Sequence, residues 1–307
     1  MASSHSVSTR QAAALLDVHE SSVKRWCSSG ELPCDRTSGG HRRIPLRGLA
    51  AFSDERELPF ALRPFGDDAG AVWEGLRTVE RKEDWAALVT VLYRWLGADD
   101  AGRPRALVDL LQRRGTPLAA VLDGLLAPAM HRIGFDYNAG LVSIGDEHRM
   151  THLVRDLLVG LHLAHRRASA GGSADGGAAD GATAVVGCAR SEVHELGALM
   201  SRLVLEAAGW RVVYLGLNVP TEEFARQQRQ HRATLVCIAM APPTGAPEAR
   251  VMAEVLRHLY DEQHPYRLVF GGQAVAASVR DAVPDTLHLD VQAFDRMAQF
   301  AAWLAEG

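Results

Sequence analysis

The apolar positions of this chain change period twice, and each change marks a different kind of structure. In VSTRQAAALLDVHESSVKRWCSSGELP (7–33) they fit two short helices joined by a tight turn. Ser8 or Thr9 caps the first helix, with Ala12, Ala13 and Leu16 on its inner face. The second helix begins near Glu20–Ser22, turns Val23 and Trp26 inward and leaves Lys24 and Arg25 outward. In DRTSGGHRRIP, Gly39–Gly40 can turn a hairpin. Residues 71–167 keep a helical period, with Trp85, Leu88, Leu92 and Trp95 on one face and a break near Glu83–Asp84. Ser143 with Asp146 reads as the cap of a last helix running to about Ala168. Four or five such helices with short connections predict a bundle. Beyond residue 183 come the continuous apolar runs TAVVGCA, RVVYLGL, TLVCIAM and YRLVFGG, separated by helical stretches. That alternation predicts a doubly wound, Rossmann-like α/β domain with a parallel sheet buried on both faces.

Two stretches interrupt these patterns. SDERELPFALRPFGDDAG (53–70) has no sustained period and reads as a linker, and ASAGGSADGGAADGAT (168–183) reads as a Gly/Ala tether. The expected division is therefore 1–55 winged helix-turn-helix, 56–70 linker, 71–168 helical bundle, 169–183 tether and 184–307 α/β domain.

Composition narrows the classes. The chain has 307 residues, 47% hydrophobic and 23% charged, which suits two or three globular domains and argues against disorder. No apolar run approaches the ~18–20 residues of a membrane span, and MASSHSVSTR lacks a signal-peptide core, so cytoplasmic residence and no membrane partner are expected. Cys27, Cys34, Cys188 and Cys237 form no CxxC pair, which points to reduced thiols rather than a zinc finger. The net charge of −4 is unevenly placed: residues 1–50 hold seven Lys/Arg against four Asp/Glu, a net of +3, leaving −7 for the rest. A basic head on an acidic body is compatible with a nucleic-acid-binding module.

The head strengthens that reading. Glu31-Leu32-Pro33 follows the second helix, and the GGHRR run places His41, Arg42 and Arg43 on a wing beside Arg36, where cations can meet phosphates. These features, across residues 6–53, resemble the DNA-binding domain of the MerR family. The resemblance implies a double-stranded DNA operator as partner, contacted by Arg10, Ser21, Ser22, Lys24, Arg25, Arg36, His41, Arg42 and Arg43.

The strongest chemical pattern is Glu192-Val193-His194-Glu195-Leu196-Gly197, leaving the first strand of the α/β domain. A loop histidine there can bind a metal, with Glu192 fixing its second nitrogen and Gly197 admitting a bulky ligand. Alone, the string also fits a solvent-facing histidine. With YLGLNVPTEEF and VFGGQAV it resembles the corrinoid domain of methionine synthase and its relatives, over about residues 183–300. The resemblance implies that His194 ligates the cobalt of cobalamin, with Glu192 as its partner and Gly197 as the close-approach glycine. It also implies cofactor contacts at Gly216, Val219, Pro220, Gly271, Gly272 and Ala274. Two departures stand out: Glu192 replaces the usual Asp, and Ala239-Met240-Ala241 lacks the hydroxyl side chains usual after the third strand.

A helical bundle ahead of such a domain resembles the MerR-family cobalamin-dependent photoreceptors of the CarH/LitR type, in which the bundle caps the upper axial ligand. The match carries Glu147-His148 and, ten residues before Glu147, Tyr137 in place of Trp, with Phe135 nearby and Asn138 where a His can stand. Phe135 and Tyr137 also fit core aromatics, and Glu147–His148 a first-turn capping pair. The resemblance implies a light-responsive transcriptional repressor, not an enzyme. It would use adenosylcobalamin, form a homo-oligomer (a tetramer in the dark) and release DNA in light. Alternatives are a cobalamin-binding regulator with another signal or a second tetrapyrrole such as a bilin, and a corrinoid methyl-carrier protein.

Overall fold

The computed structural model describes residues 5–171, 182–241, 245–272, 279 and 289–306. Ala274 and most of the expected tether lie outside the described residues. The chain forms two compact units, Met1–Thr116 with Pro128–Glu147, and Pro117–Ala127 with His148–Gly307. The stretch expected as one bundle, 71–168, is thus divided between them.

In the first unit, β1 (Ser6–Val7), α1 (Thr9–Leu16), α2 (Glu20–Ser29), β2 (Asp35–Arg36), β3 (Arg42–Pro45) and α3 (Leu46–Glu55) make the winged head. Ser8 caps α1 reciprocally: its hydroxyl accepts from the Gln11 amide at 3.2 Å, and its own amide donates to Gln11 Oε1 at 2.9 Å. The Thr9 hydroxyl donates to Glu20 Oε1 at 2.7 Å, fixing the start of α2 against the start of α1. β3 pairs antiparallel with both β1 and β2, and Gly40, at φ +78°, makes the hairpin turn. Leu16, Val23, Leu32, Ile44 and Leu49 form the head's core, and Trp26, half-buried, rests on Phe52 with ring centroids 5.0 Å apart.

Residues 56–70 are packed rather than a free linker. Phe60, Leu62 and Phe65 are buried, the Ala61 amide donates to Leu15 O at 2.9 Å, and Phe65 stacks on Trp95 at 5.7 Å. Three apolar anchors spaced irregularly through a proline-bearing segment bury well without producing any period. A 3₁₀ segment (Arg63–Asp68) leads into α4 (Ala69–Lys82), which ends at Glu83 in the left-handed region, φ +54°. α5 (Ala86–Gly97) and α6 (Gly102–Arg113) follow.

Leu118–Asn138 is one helical run of 21 residues: α7 (Leu118–Val121), a π-helical turn (Leu122–Leu126) and α8 (Ala127–Asn138). With a mean hydropathy of 1.2 it has the length and composition of a membrane span, which revises the expectation that no such run exists. Its acidic residues are committed to protein partners. Asp136 accepts from the Tyr93 hydroxyl at 2.7 Å, and Asp123 accepts from the Met297 and Ala298 amides at 2.8 Å each.

In the second unit α9 (Ile144–Gly171), from His148 onward, leads to β4 (Thr183–Cys188), α10 (Leu196–Ala207), β5 (Arg211–Gly216), α11 (Thr221–His231) and β6 (Leu235–Ala239). Then come α12 (Gly245–His258), β7 (Arg267–Gly271), β8 (Val291–Phe294) and α13 (Met297–Glu306). The five strands are all parallel, in the order β5-β4-β6-β7-β8. α10 packs with α13, and α11 with α12, giving the expected doubly wound arrangement. Val185, Val236, Ile238, Leu268 and Phe270 fill the core between sheet and helices. The order reverses between β4 and β6, and ligands bind such sheets at the carboxyl ends beside the reversal.

Asp123 therefore acts as a cap supplied in trans to the first turn of α13. Asp123→Ala is expected to destabilise the second unit by about 1–2 kcal/mol, read as a lower thermal midpoint by circular dichroism, with the winged head unaffected.

Candidate functional site

The carboxyl ends of the strands are tied to one another by main-chain bonds. Ala189 N–H donates to Ala239 O at 3.0 Å, Met240 N–H to Gly271 O at 3.0 Å, and Val219 N–H to Cys188 O at 3.1 Å. Ser191 sits at φ +64° and donates its amide to Asn218 Oδ1 at 2.9 Å, locking the first loop to the second.

Glu192 is the hub of this surface. It is 5% exposed, and its Oε1 accepts the amides of Val193 and His194 at 2.9 Å each and meets His194 Nδ1 at 2.6 Å. Its Oε2 accepts the Ala241 amide at 2.6 Å, reaching from the loop after β4 to the loop after β6 across the strand-order reversal. A carboxylate only accepts, so in the neutral imidazole the Nδ1 carries the proton and Nε2 keeps its lone pair. The His194 side chain is 68% exposed, which puts that lone pair at the surface. An imidazole held by a carboxylate behind and open in front is the donor arrangement of a metal ligand.

Beneath the loop, burial pushes the Cys188 thiol up to about 12, with the Glu192 and then the Glu195 carboxylates adding to the shift. Cys188 therefore stays a thiol, and its Sγ faces His194 O at 3.8 Å. At Gly197 a Cβ would meet no other atom within 4 Å, so the glycine leaves open space rather than relieving a protein contact. Val193 and Leu217 are exposed apolar residues on the same two loops. A bulky ligand with a metal to offer fits this set. Gly216, at φ +81°, ends β5; Val219 is buried and Pro220 exposed. Gly271 ends β7, and Gly272 donates its amide to Phe294 O at 3.3 Å.

In the first unit, Phe135 is 70% exposed and Tyr137 41% exposed, so neither is a core aromatic there. Leu141 and Ile144, a few residues on in the same unit, are exposed as well. Glu147 is half-buried and donates its amide to Ser143 O at 2.9 Å, while His148 is exposed.

On the head, Arg25, Arg36, His41 and Arg43 are exposed on α2 and the hairpin. Lys24 pairs with Glu20 at 3.1 Å, Arg42 donates to Ser28 Oγ at 2.9 Å, and Ser21 bonds His19 Nδ1 at 2.8 Å. Ser22 is half-buried and donates its amide to His19 O. Arg10 stands apart, lining a pocket of about 400 Å³ with Trp73, Glu80 and Arg114.

Residues 6–57 match the family described as helix-turn-helix domain, and residues 182–296 match the B12 binding domain. The chain thus carries a helix-turn-helix domain followed by a B12 binding domain. Its similarity to the HTH-type transcriptional repressor CarH of Myxococcus xanthus is 31% identity over 134 residues. That match covers 42% of this chain, which spans about two fifths (39%) of the repressor's length. The fold also resembles the monomethylamine corrinoid protein of Methanosarcina barkeri, at 16% identity and a TM-score of 0.51, over 70% of this chain and 95% of that one.

Within the B12 domain, the sequence-derived pair of Glu192 and His194 is brought together, but the Ala241 amide that completes the hub carries no signal in its side chain. Glu192→Ala would strand three loop amides and is expected to cost about 2–4 kcal/mol in thermal or urea unfolding. His194→Ala, at an exposed position, should stay within about 0.5 kcal/mol of the parent in the same measurement.

Proposed function

We propose that the protein is a cobalamin-dependent transcriptional repressor that binds adenosylcobalamin and responds to light. The observation that carries this reading is the exposed Nε2 of His194, backed by buried Glu192, in a chain that also bears a helix-turn-helix head. His194 would ligate the cobalt, Glu192 would hold its tautomer, and Gly197 would leave room for a bulky cofactor. Gly216, Val219, Pro220, Gly271 and Gly272 line the remaining contacts, and Ala274 is proposed with them from sequence alone. Phe135, Tyr137, Glu147 and His148 would contact the adenosyl group, as the sequence resemblance implies. When bound, adenosylcobalamin supplies a light-sensitive cobalt–carbon bond.

The head contacts the operator through the exposed surface of α2, with Ser21, Ser22, Lys24 and Arg25, and through Arg36, His41, Arg42 and Arg43 on the hairpin. Arg10, turned toward α4, is assigned the weakest part in that contact. Several heads joined in one homo-oligomer, a tetramer in the dark, gain affinity through effective concentration, and dissociation in light forfeits it. A corrinoid methyl carrier explains the B12 domain but leaves the head without a role, so the regulator is preferred.

The test is to load the full chain with adenosylcobalamin in darkness and record absorbance, size-exclusion profile and operator binding before and after green light. Retention of the cofactor with a light-dependent loss of oligomer and of DNA binding is the expected result. No retention overturns the reading, and absorbance bands beyond those of the corrinoid would replace it with a two-chromophore sensor. Arg43→Ala should lower the slope of log affinity against log salt by about 1 in DNA titrations, as expected for one lost phosphate contact.

A further inference from the structure

The residue after the candidate cobalt ligand is held by a helix from outside the α/β fold. Glu195 is the cap residue of α10 immediately after His194, and its side chain is largely buried. Its Oε2 accepts from Arg155 Nε on α9 at 2.8 Å, and its Oε1 from the Tyr214 hydroxyl on β5 at 3.1 Å. Arg155 carries its charge firmly, because the Glu195 hydrogen bond and then its field raise the guanidinium's affinity for its proton. The Arg202 guanidinium lies 5.3 Å from the Tyr214 ring centroid and donates from Nε to Glu206 Oε1 at 2.9 Å. Glu206 Oε2 in turn meets His162 Nδ1 on α9 at 2.6 Å. The His162 Nε2 faces Arg202 Nη2 at 2.6 Å, so in the neutral imidazole Nε2 accepts from the guanidinium and Nδ1 carries the proton toward Glu206.

α9 therefore grips α10 twice, at Glu195 beside the ligand loop and at Glu206 in the last turn. The two grips differ in what they can do. The one at Glu206 is largely buried and joins His162, Glu206 and Arg202, so it serves as a fixed anchor. The one at Glu195 is a single ion pair whose arginine is 46% exposed, adjacent in sequence to His194. On the same helix, His148 lies seven residues before Arg155, two turns away and on the same face.

We infer that Arg155 is a positioning residue for His194: through Glu195 it latches the ligand loop to α9, so that a displacement of α9 is transmitted to the nitrogen that would hold cobalt. This deepens the function proposed above and rests on His194 being the lower ligand. One helix then links His148 to the ligand loop.

The experiment uses the full chain. In the cofactor-free protein, amide hydrogen exchange of residues 191–197 is compared between the parent, Arg155→Gln, Glu195→Gln, the double variant and Arg155→Lys. Either single neutral variant should speed exchange in that loop about tenfold, the double variant no further, and Arg155→Lys should restore most of the protection. Retention of hydroxocobalamin should fall about tenfold in Arg155→Gln, the low end for a residue supporting a ligand through its neighbour. Unchanged loop exchange, additive effects in the double variant, or equal loss of protection across β4 and β6 would overturn the latch. His194→Ala decides the underlying reading separately. If it retains hydroxocobalamin like the parent, the ligand assignment falls whatever the loop exchange shows.

Discussion

The candidate site depends on one buried carboxylate. Glu192 accepts three main-chain amides from two loops and the Nδ1 of His194, and so performs two tasks with a single group. It closes the surface over the point where the strand order reverses, and it chooses the imidazole tautomer. A buried charge is costly unless it is satisfied, and here every acceptor direction that the loops can reach is filled. Satisfaction of Glu192 and presentation of His194 are therefore one condition. The loop cannot relax away from its shape without leaving an ion unpaired.

The rest of the second unit supplies that condition. Parallel strands end in step, so Cys188, Ala239 and Gly271 deliver their loops to a common rim, and main-chain bonds between neighbouring loops hold the rim together. Cys188 supports the loop as a neutral thiol, which adds no second charge beneath Glu192. The head follows a different logic. Its core is small, and its outward face is set by helix period and hairpin alternation, which leave the cations of α2 and the hairpin in water.

The sequence made some of this legible and not the rest. The parallel sheet was readable because strands buried on both faces are continuous apolar runs, and the head because helix caps, Gly40 and a run of cations sit in a short span. Glu192 and His194 were readable because two side chains two residues apart can meet in a loop. Residues 56–70 were not readable: Phe60, Leu62 and Phe65 anchor the segment without periodicity, and prolines beside them suggest a linker. Leu118–Asn138 was readable as helix, but not its span-like length and hydropathy, because Asp123, Pro128, Arg132 and Asp136 interrupt the apolar run and are all accommodated within one helical stretch. Arg10 was grouped with the DNA contacts through the resemblance of the head, and its place in a pocket with Trp73, Glu80 and Arg114, more than sixty residues on, has no local signal. Arg155 and Glu195 lie forty residues apart, and nothing local joins them.

The Ala241 contact has a consequence for how variation in this protein is read. Its donor is a backbone amide, so almost any side chain at position 241 preserves it. Natural drift at that position would look unconstrained, and an alanine scan would pass over it in silence. Proline alone removes the donor. A loop whose side chains look dispensable thus conceals an atom that the site cannot spare, and its constraint would surface in a mutational survey as intolerance to a single residue type.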